Sequence, residues 1–395
     1  MAGEAPVPVA FYAPMKPPDH PQPSGDRTVA RALWAALRAA GYAPQLASRL
    51  RAHEKAGDAA AQRAIRAAAQ AEAERLTGRW RAAPAPERPA LWFTYHLYDR
   101  APDWIGPQVA AALGIPYVAA EASLAPGRAA GPWRDGHAAV VAALRQAAAV
   151  FVLNENDRPC LLSAPELADV DMAGKCVSLP PFLARIPAAP ARPPRPEGPL
   201  RLLAVAMLRH GDKLRSLATL AAALARLPRH DWRLTVVGDG PARAEAAALF
   251  APFGARAAMP GAVNDPAELD AVYAAHDLFV WPACNEAFGM ALLEAQASAL
   301  PVLAGAWGGV PGVVAEGDGG WLAAADEALA RHDPQAADAR LAETFACRLG
   351  ELIAAERRAP GFLAAAGQAG RARVLRRHSL AAAAATLRAA LERAR

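Results

Sequence analysis

Short apolar runs alternate with stretches of helical spacing along most of this chain. Runs at Val7 to Tyr12, Ala43 to Ala47, Ala90 to Thr94, Ile115 to Ala119, Val150 to Leu153 and Cys176 to Leu179 predict buried strands. Between them, Gly25 to Ala40, Ala56 to Arg79, Trp104 to Leu113 and Gly136 to Ala148 place apolar residues three and four apart, which predicts helices. Eight prolines then fall between Pro180 and Pro199, where fixed φ and missing donors exclude helix and inner strand, so this stretch reads as a linker. A second series follows: strand Leu200 to Ala206, helix Lys213 to Leu227, strand Arg233 to Val237 and helices Ala242 to Phe250 and Pro266 to Ala275. It continues with strand Leu278 to Trp281, a helix opening near Phe288 and strand Pro301 to Ala304, and Arg331 to Arg395 is mostly helical. Such alternation predicts parallel sheets covered by helices on both faces.

The expected domains are residues 1–185, a linker over 186–199, a second domain over 200–360 and closing helices over 361–395. The length of 395 residues suits two cores, and 54% hydrophobic residues supply them. No window approaches the ~18 unbroken apolar residues of a bilayer span, and the acidic, proline-bearing start does not resemble a signal peptide, so a cytoplasmic protein is expected. Four scattered cysteines give neither a metal spacing nor a disulfide framework. The net charge of +5 is uneven: Arg27 to Arg81 and Gly361 to Arg395 are strongly basic, and the remainder is acidic. A basic face suits peripheral contact with anionic lipid at the inner face of a membrane, although arginine-rich helices are as readily plain solvated surface. No basic run is interleaved with stacking aromatics, which argues against nucleic acid.

The segment Asp277 to Val302 carries the densest chemistry. Glu286 lies in the turn after a strand and Glu294 inside the next helix, whose first amides around Phe288, Gly289 and Met290 have no intrahelical acceptor. A helix end of this kind attracts an anion, and glycine allows close approach to the backbone. One glutamate pair alone would read as solvated charge; the surrounding strand, Phe-Gly and following Pro301-Val302 strand change that reading. Arg209 and Lys213 stand four apart after the strand ending near Ala206, where two cations would neutralise a diphosphate. Gly238 and Gly240 follow another strand, but Arg243 occupies the third glycine position of a dinucleotide fingerprint, so that pattern is incomplete. Two glycines in Trp307 to Pro311 make a further tight loop. The only Asp-x-Asp, Asp169 and Asp171, reads as loop, and no metal site is expected.

Glu286, Phe288-Gly289, Glu294 and Pro301-Val302 together resemble the nucleotide-sugar site of the retaining GT-B glycosyltransferases of the group 1, or family 4, class. That family usually has glycine where Ala299 stands. The resemblance implies an α/β fold of GT-B architecture, two doubly wound Rossmann-like domains facing a central cleft, with the last helix crossing back onto the first domain. It implies a metal-independent retaining transferase without cofactor, using a UDP- or GDP-linked sugar and a saccharide, lipid-linked or small-molecule acceptor. Arg209 and Lys213 would hold the donor phosphates, Glu286 the sugar hydroxyls and Glu294 the ribose, while the turn at Gly238 and Gly240 would border the nucleotide. In the first domain the glycine-rich loop of the family is reduced to Gly25, which with Arg27 is expected near the acceptor or the donor phosphate. The family's histidine near the sugar is replaced by Glu121, and His96 ends the preceding strand; both are candidates for the acceptor side. A non-catalytic nucleotide-sugar binder, a sugar epimerase and a phosphorylase are the alternatives, the last lacking any pyridoxal-lysine motif.

Overall fold

The computed structural model describes residues 5–22, 24–188, 198–228 and 231–395. Two compact units are present: Met1–Ala184 with Leu380–Arg395, and Arg185–Ser379. The middle of the proline-rich stretch, residues 189–197, lies outside the described residues.

Unit 1 has strands β1 (Val7–Tyr12), β2 (Tyr42–Leu46), β3 (Leu91–Leu97), β4 (Tyr117–Ala122), β5 (Ala149–Val152) and β6 (Cys176–Ser178). They form one parallel sheet in the order β2-β1-β3-β4-β5-β6. The connecting helices are α1 (Gly25–Ala39), α2 (Ala59–Ala82), α3 (Gly106–Leu113), α4 (Arg134–Gln146), α5 (Arg158–Leu162) and α6 (Met172–Lys175). Central strands are buried on both faces, which is why they read as continuous apolar runs. Ser24 caps α1 by accepting from the Arg27 amide, and Asp58 caps α2 by accepting from Ala60 and Ala61. The Asp58 cap explains why α2 begins three residues after the expected Ala56. Asp169 is held by both guanidinium nitrogens of Arg145, and Asp171 caps α6, so this pair of aspartates is structural.

Unit 2 repeats the plan. Its strands are β7 (Leu200–Val205), β8 (Trp232–Val237), β9 (Ala257–Gly261), β10 (Leu278–Trp281), β11 (Val302–Gly305) and β12 (Gly320–Ala323), parallel in the order β12-β11-β10-β7-β8-β9. Its helices are α7 (Asp212–Leu224), α8 (Arg243–Phe250), α9 (Pro266–Ala274), α10 (Met290–Ala297), α11 (Val310–Val313), α12 (Glu327–Ala330), α13 (Pro334–Arg358) and α14 (Phe362–Arg377). The edge strands β9 and β12 were not foreseen from the sequence. Each is partly exposed, and β9 carries a proline, so neither shows the apolar run of an inner strand.

The closing helices part company. α14 stays in unit 2, where Arg371 donates to the carbonyls of Ala297 and Pro187 and Arg373 to those of Val313 and Gly312. Helix α15 (Leu380–Ala394) belongs to unit 1, where the Arg388 guanidinium donates to the carbonyls of Ala39 and Ala40 at 3.1 and 3.0 Å and so terminates α1. Residues 361–395 therefore do not pack as one body, and Arg371, Arg373 and Arg388, counted as part of a basic face, are structural.

Candidate functional site

In unit 2 the loops after β7, β10 and β11 meet at the carboxyl ends of their strands. Glu286 leaves the turn after β10 and forms an ion pair with Lys213, in the first turn of α7. The Lys213 ammonium also lies 5.5 Å from the ring centre of Trp281, whose indole N–H points at the same Glu286 oxygen at 3.4 Å. Asn285 donates to Asp212 at 3.0 Å, so the turn and the entry to α7 are stitched at two adjacent positions. The turn holds Ala283 and Asn285 at positive φ, a conformation that costs about 1–3 kcal/mol at each non-glycine residue. The loop after β11 lies flat on it: a Cβ at Gly308 would sit 2.5 Å from the Glu286 carbonyl oxygen, and one at Gly305 would sit 2.0 Å from that of Pro282. These glycines are in Gly305 to Gly309 because no side chain fits between the two loops.

α10 starts at Met290 behind Gly289, which has φ +70°, and no side chain caps it. Its leading amides therefore keep their capacity for an anion. Phe288 is buried and Met290 half-buried beside it. One turn further on, Glu294 is half-buried and accepts from the Tyr273 hydroxyl at 2.9 Å. Burial pushes the Glu294 carboxyl up, opposed by the Tyr273 hydrogen bond and by Arg185. Tyr273 and Arg185 are site residues that sequence reasoning missed; Arg185 is itself fixed by Asp270 at 2.7 Å through both guanidinium nitrogens.

Gly238 and Gly240 have a structural duty. Both sit at positive φ against the loop after β7, where a Cβ would lie 1.8 Å from the Ala206 carbonyl oxygen and 2.2 Å from that of Leu208. That loop carries Arg209, which is exposed and precedes the turn into α7. The two glycines thus set where Arg209 begins.

Unit 1 assembles a second cluster at the ends of β3 and β4. The register pairs Tyr95 with Ala120 and Leu97 with Ala122, which sets His96 beside Glu121. Both depart from strand geometry, with φ of +64° and +56°. His96 Nδ1 lies 3.2 Å from Asp26 Oδ1 in the first turn of α1, an ion-pair contact between side chains that remain 20% and 26% exposed and so within reach of a ligand. Burial disfavours the charged imidazole, but Glu121 and Asp26 outweigh it and His96 titrates above its ordinary range. Asp26 is correspondingly lowered, chiefly by the His96 imidazole beside it. Glu121 is raised by burial, against the pull of His96 and Tyr95, and its Oε2 is buried without a partner among the described residues. Asp157, after β5, is half-buried and raised by burial, against the pull of Ser123 and His96.

Gly25 opens α1 with nothing within 4 Å of where a Cβ would stand, so packing does not demand glycine there. Arg27 turns into the preceding loop, donating to the carbonyls of His20 and Pro21 at 2.9 and 3.0 Å. Arg31 and Arg51 clamp the same loop through Pro18 and Met15. Three arginines of the basic run from Arg27 to Arg81 are thereby spent on carbonyls. Among the described residues no group of three or more His, Cys, Asp or Glu is placed to hold a metal ion, and no helix is long and apolar enough to cross a membrane.

Residues 199–333, all in unit 2, match the family described as glycosyl transferases group 1. This chain carries a group 1 glycosyltransferase domain. It is 36% identical over 102 residues to sulfoquinovosyl transferase SQD2 of Arabidopsis thaliana, covering 26% of this chain and 19% of that protein. It is 53% identical over 57 residues to D-inositol 3-phosphate glycosyltransferase of Corynebacterium aurimucosum, 14% of each chain. The matches thus span under a fifth of these curated relatives. Solved structures align over nearly the whole chain: a glycosyltransferase of Rickettsia africae (TM-score 0.67, 15% identity, 98% of each chain) and Anabaena HepE in complex with UDP-glucose (TM-score 0.62, 15% identity, 98% and 99%). The glycosyltransferase domain and its companion sheet thus share the GT-B fold.

Proposed function

We propose that the chain transfers a sugar from a nucleoside-diphosphate donor to a hydroxyl-bearing acceptor, with retention at the anomeric carbon and without a metal ion. The observation that carries this reading is the meeting of Lys213, Glu286 and the uncapped start of α10 at one set of strand ends. Glu286 pairs with the Lys213 ammonium that a diphosphate would take. Donor binding would exchange one anion for another at Lys213 and release Glu286 to receive sugar hydroxyls. Lys213, Arg209 and the helix amides would then stabilise the charge that grows on the departing diphosphate, the part a metal plays elsewhere. Glu294, one turn into α10, would receive the ribose. The UDP-glucose complex of Anabaena HepE supports a uridine donor, and the Corynebacterium relative, by its name, supports a polyhydroxylated acceptor. Peripheral contact with anionic lipid would rest on the exposed Arg63, Arg66 and Arg79 of α2 rather than on the closing helices.

The purified chain, incubated with UDP- and GDP-linked sugars, should release free nucleoside diphosphate only when an acceptor is present, and the product's anomeric proton should keep the donor's configuration by NMR. Excess chelator should leave the rate unchanged. Saturable donor binding with no release under any acceptor would instead support a non-catalytic binder.

A further inference from the structure

Two adjacent strands of unit 1 end in left-handed residues, and both of those residues are titratable. Non-glycine residues pay roughly 1–2 kcal/mol for that conformation. At His96 and Glu121 the expenditure falls side by side, at the carboxyl edge of a parallel sheet, where ligands of this fold class bind. Core packing does not require it: the neighbouring strand residues Tyr95, Leu97, Ala120 and Ala122 are buried, while His96 and Glu121 remain partly open to solvent. Glu121 also keeps a buried oxygen that no described residue satisfies, which for a carboxylate is costly unless a ligand supplies the donor. Asp26 then reaches His96 from a third element, α1.

We propose that Asp26 is the positioning residue of this site: it orients His96 so that the imidazole donates to one hydroxyl, and Glu121 accepts from an adjacent hydroxyl, of a polyhydroxylated ring bound as the acceptor. This assignment rests on the glycosyl-transfer reading and names the acceptor's chemistry. A donor group and an acceptor group side by side match neighbouring hydroxyls, each of which can give and receive one hydrogen bond. The groups that set the charge of His96 come from every side. Glu121 on β4, Asp26 on α1 and Asp157 beyond β5 favour its cationic form. Against them stand its own burial and His53 from the loop after β2, while Lys16 acts on Asp26 and Tyr98 packs its ring 4.9 Å from the imidazole. The three carboxyl groups outweigh these, so the imidazole holds its second proton to a higher pH than an ordinary histidine does and stays a donor over that range.

The test uses the full chain. The His96 ring signals are followed by NMR against pH in the parent, Asp26→Asn and Asp26→Glu proteins, and acceptor KM and kcat are measured across the same pH range. In the parent, His96 should titrate above ordinary imidazoles, and acceptor KM should rise at the pH where its proton leaves. Asp26→Asn should lower that pH and raise acceptor KM by about five- to tenfold, with kcat changed less than twofold and donor KM unchanged; Asp26→Glu should restore both. An ordinary His96 titration in the parent would overturn the proposal even if no variant folds. So would a rise in KM with no movement of the pH dependence, which marks a merely structural aspartate. Failure of the glycosyl-transfer reading shows differently: the parent would then release no nucleotide with any donor, whatever His96 does.

Discussion

At the residue scale, the Lys213 and Glu286 pair makes an opposed pair of expectations. Lys213→Ala should weaken binding of a free nucleoside diphosphate by about ten- to a hundredfold, since a charge-assisted contact is worth ~1.5–3 kcal/mol. Glu286→Gln should do the reverse to the same ligand, tightening it severalfold by removing the internal anion, while transfer falls because the sugar loses its acceptor group. Calorimetric titration with a nucleoside diphosphate reads both, and weaker binding to the glutamine variant would refute the exchange at Lys213. Ala299 supplies a second case. It sits at φ +53° just past the end of α10, the place where a left-handed residue ends a helix and glycine is preferred. Ala299→Gly should relieve ~1–2 kcal/mol of backbone strain and lose a buried methyl worth ~0.8 kcal/mol, leaving a small net gain in stability by chemical denaturation. Lys213, Glu286 and Glu294 were legible in the chain because one strand–turn–helix segment and one helix start carry them. Asp26, Tyr273 and Arg185 were not, because each reaches its partner from an element remote in sequence, and a lone aspartate or tyrosine has no local signature.

At the scale of elements, inner strands were legible and edges were not. β10 and β11 are buried at every position, so composition alone marks them, whereas β9 and β12 alternate or are half-exposed and carry proline or glycine. The start of α2 shifted because a capping side chain, Asp58, chose its register, whereas α1 and α9, capped by Ser24 and Asp265, begin where the spacing predicts. The turn Val236 to Pro241 looked like a weak ligand motif, and its glycines prove to be spaced for a neighbouring loop. Gly240→Ala would drive a Cβ to 2.2 Å from the Leu208 carbonyl oxygen, which is backbone and cannot swing aside. This variant should lose more than ~2 kcal/mol of stability, with donor affinity falling alongside as the Arg209 loop moves. Gly25→Ala, facing open space, should leave stability within ~0.5 kcal/mol of the parent in the same denaturation series. A Gly240→Ala protein as stable as the parent would remove the packing explanation.

At the scale of the whole molecule, the chain closes unit 1 with residues drawn from both of its ends. Helix α15 presents Ala383, Leu387 and Leu391 as a buried stripe at helical spacing, packs along α1, and fastens the end of that helix through Arg388. Nothing local in the sequence distinguishes it from α14, an equally alanine- and arginine-rich helix; what separates them is that the arginines of α14 find carbonyls of unit 2 and Arg388 finds those of α1. Leu387→Ala should therefore destabilise one unit selectively. Removing a fully buried leucine costs about 2–5 kcal/mol. Hydrogen exchange followed by mass spectrometry should show peptides from β1 and α1 losing protection, while those from β7 and β10 keep theirs. With donor groups in unit 2 and acceptor groups in unit 1, as proposed above, the same variant should retain nucleoside-diphosphate affinity while acceptor KM rises. Equal loss of protection in both units would mean that α15 stabilises the chain as a single cooperative body, and the division of labour between the two sheets would fail with it.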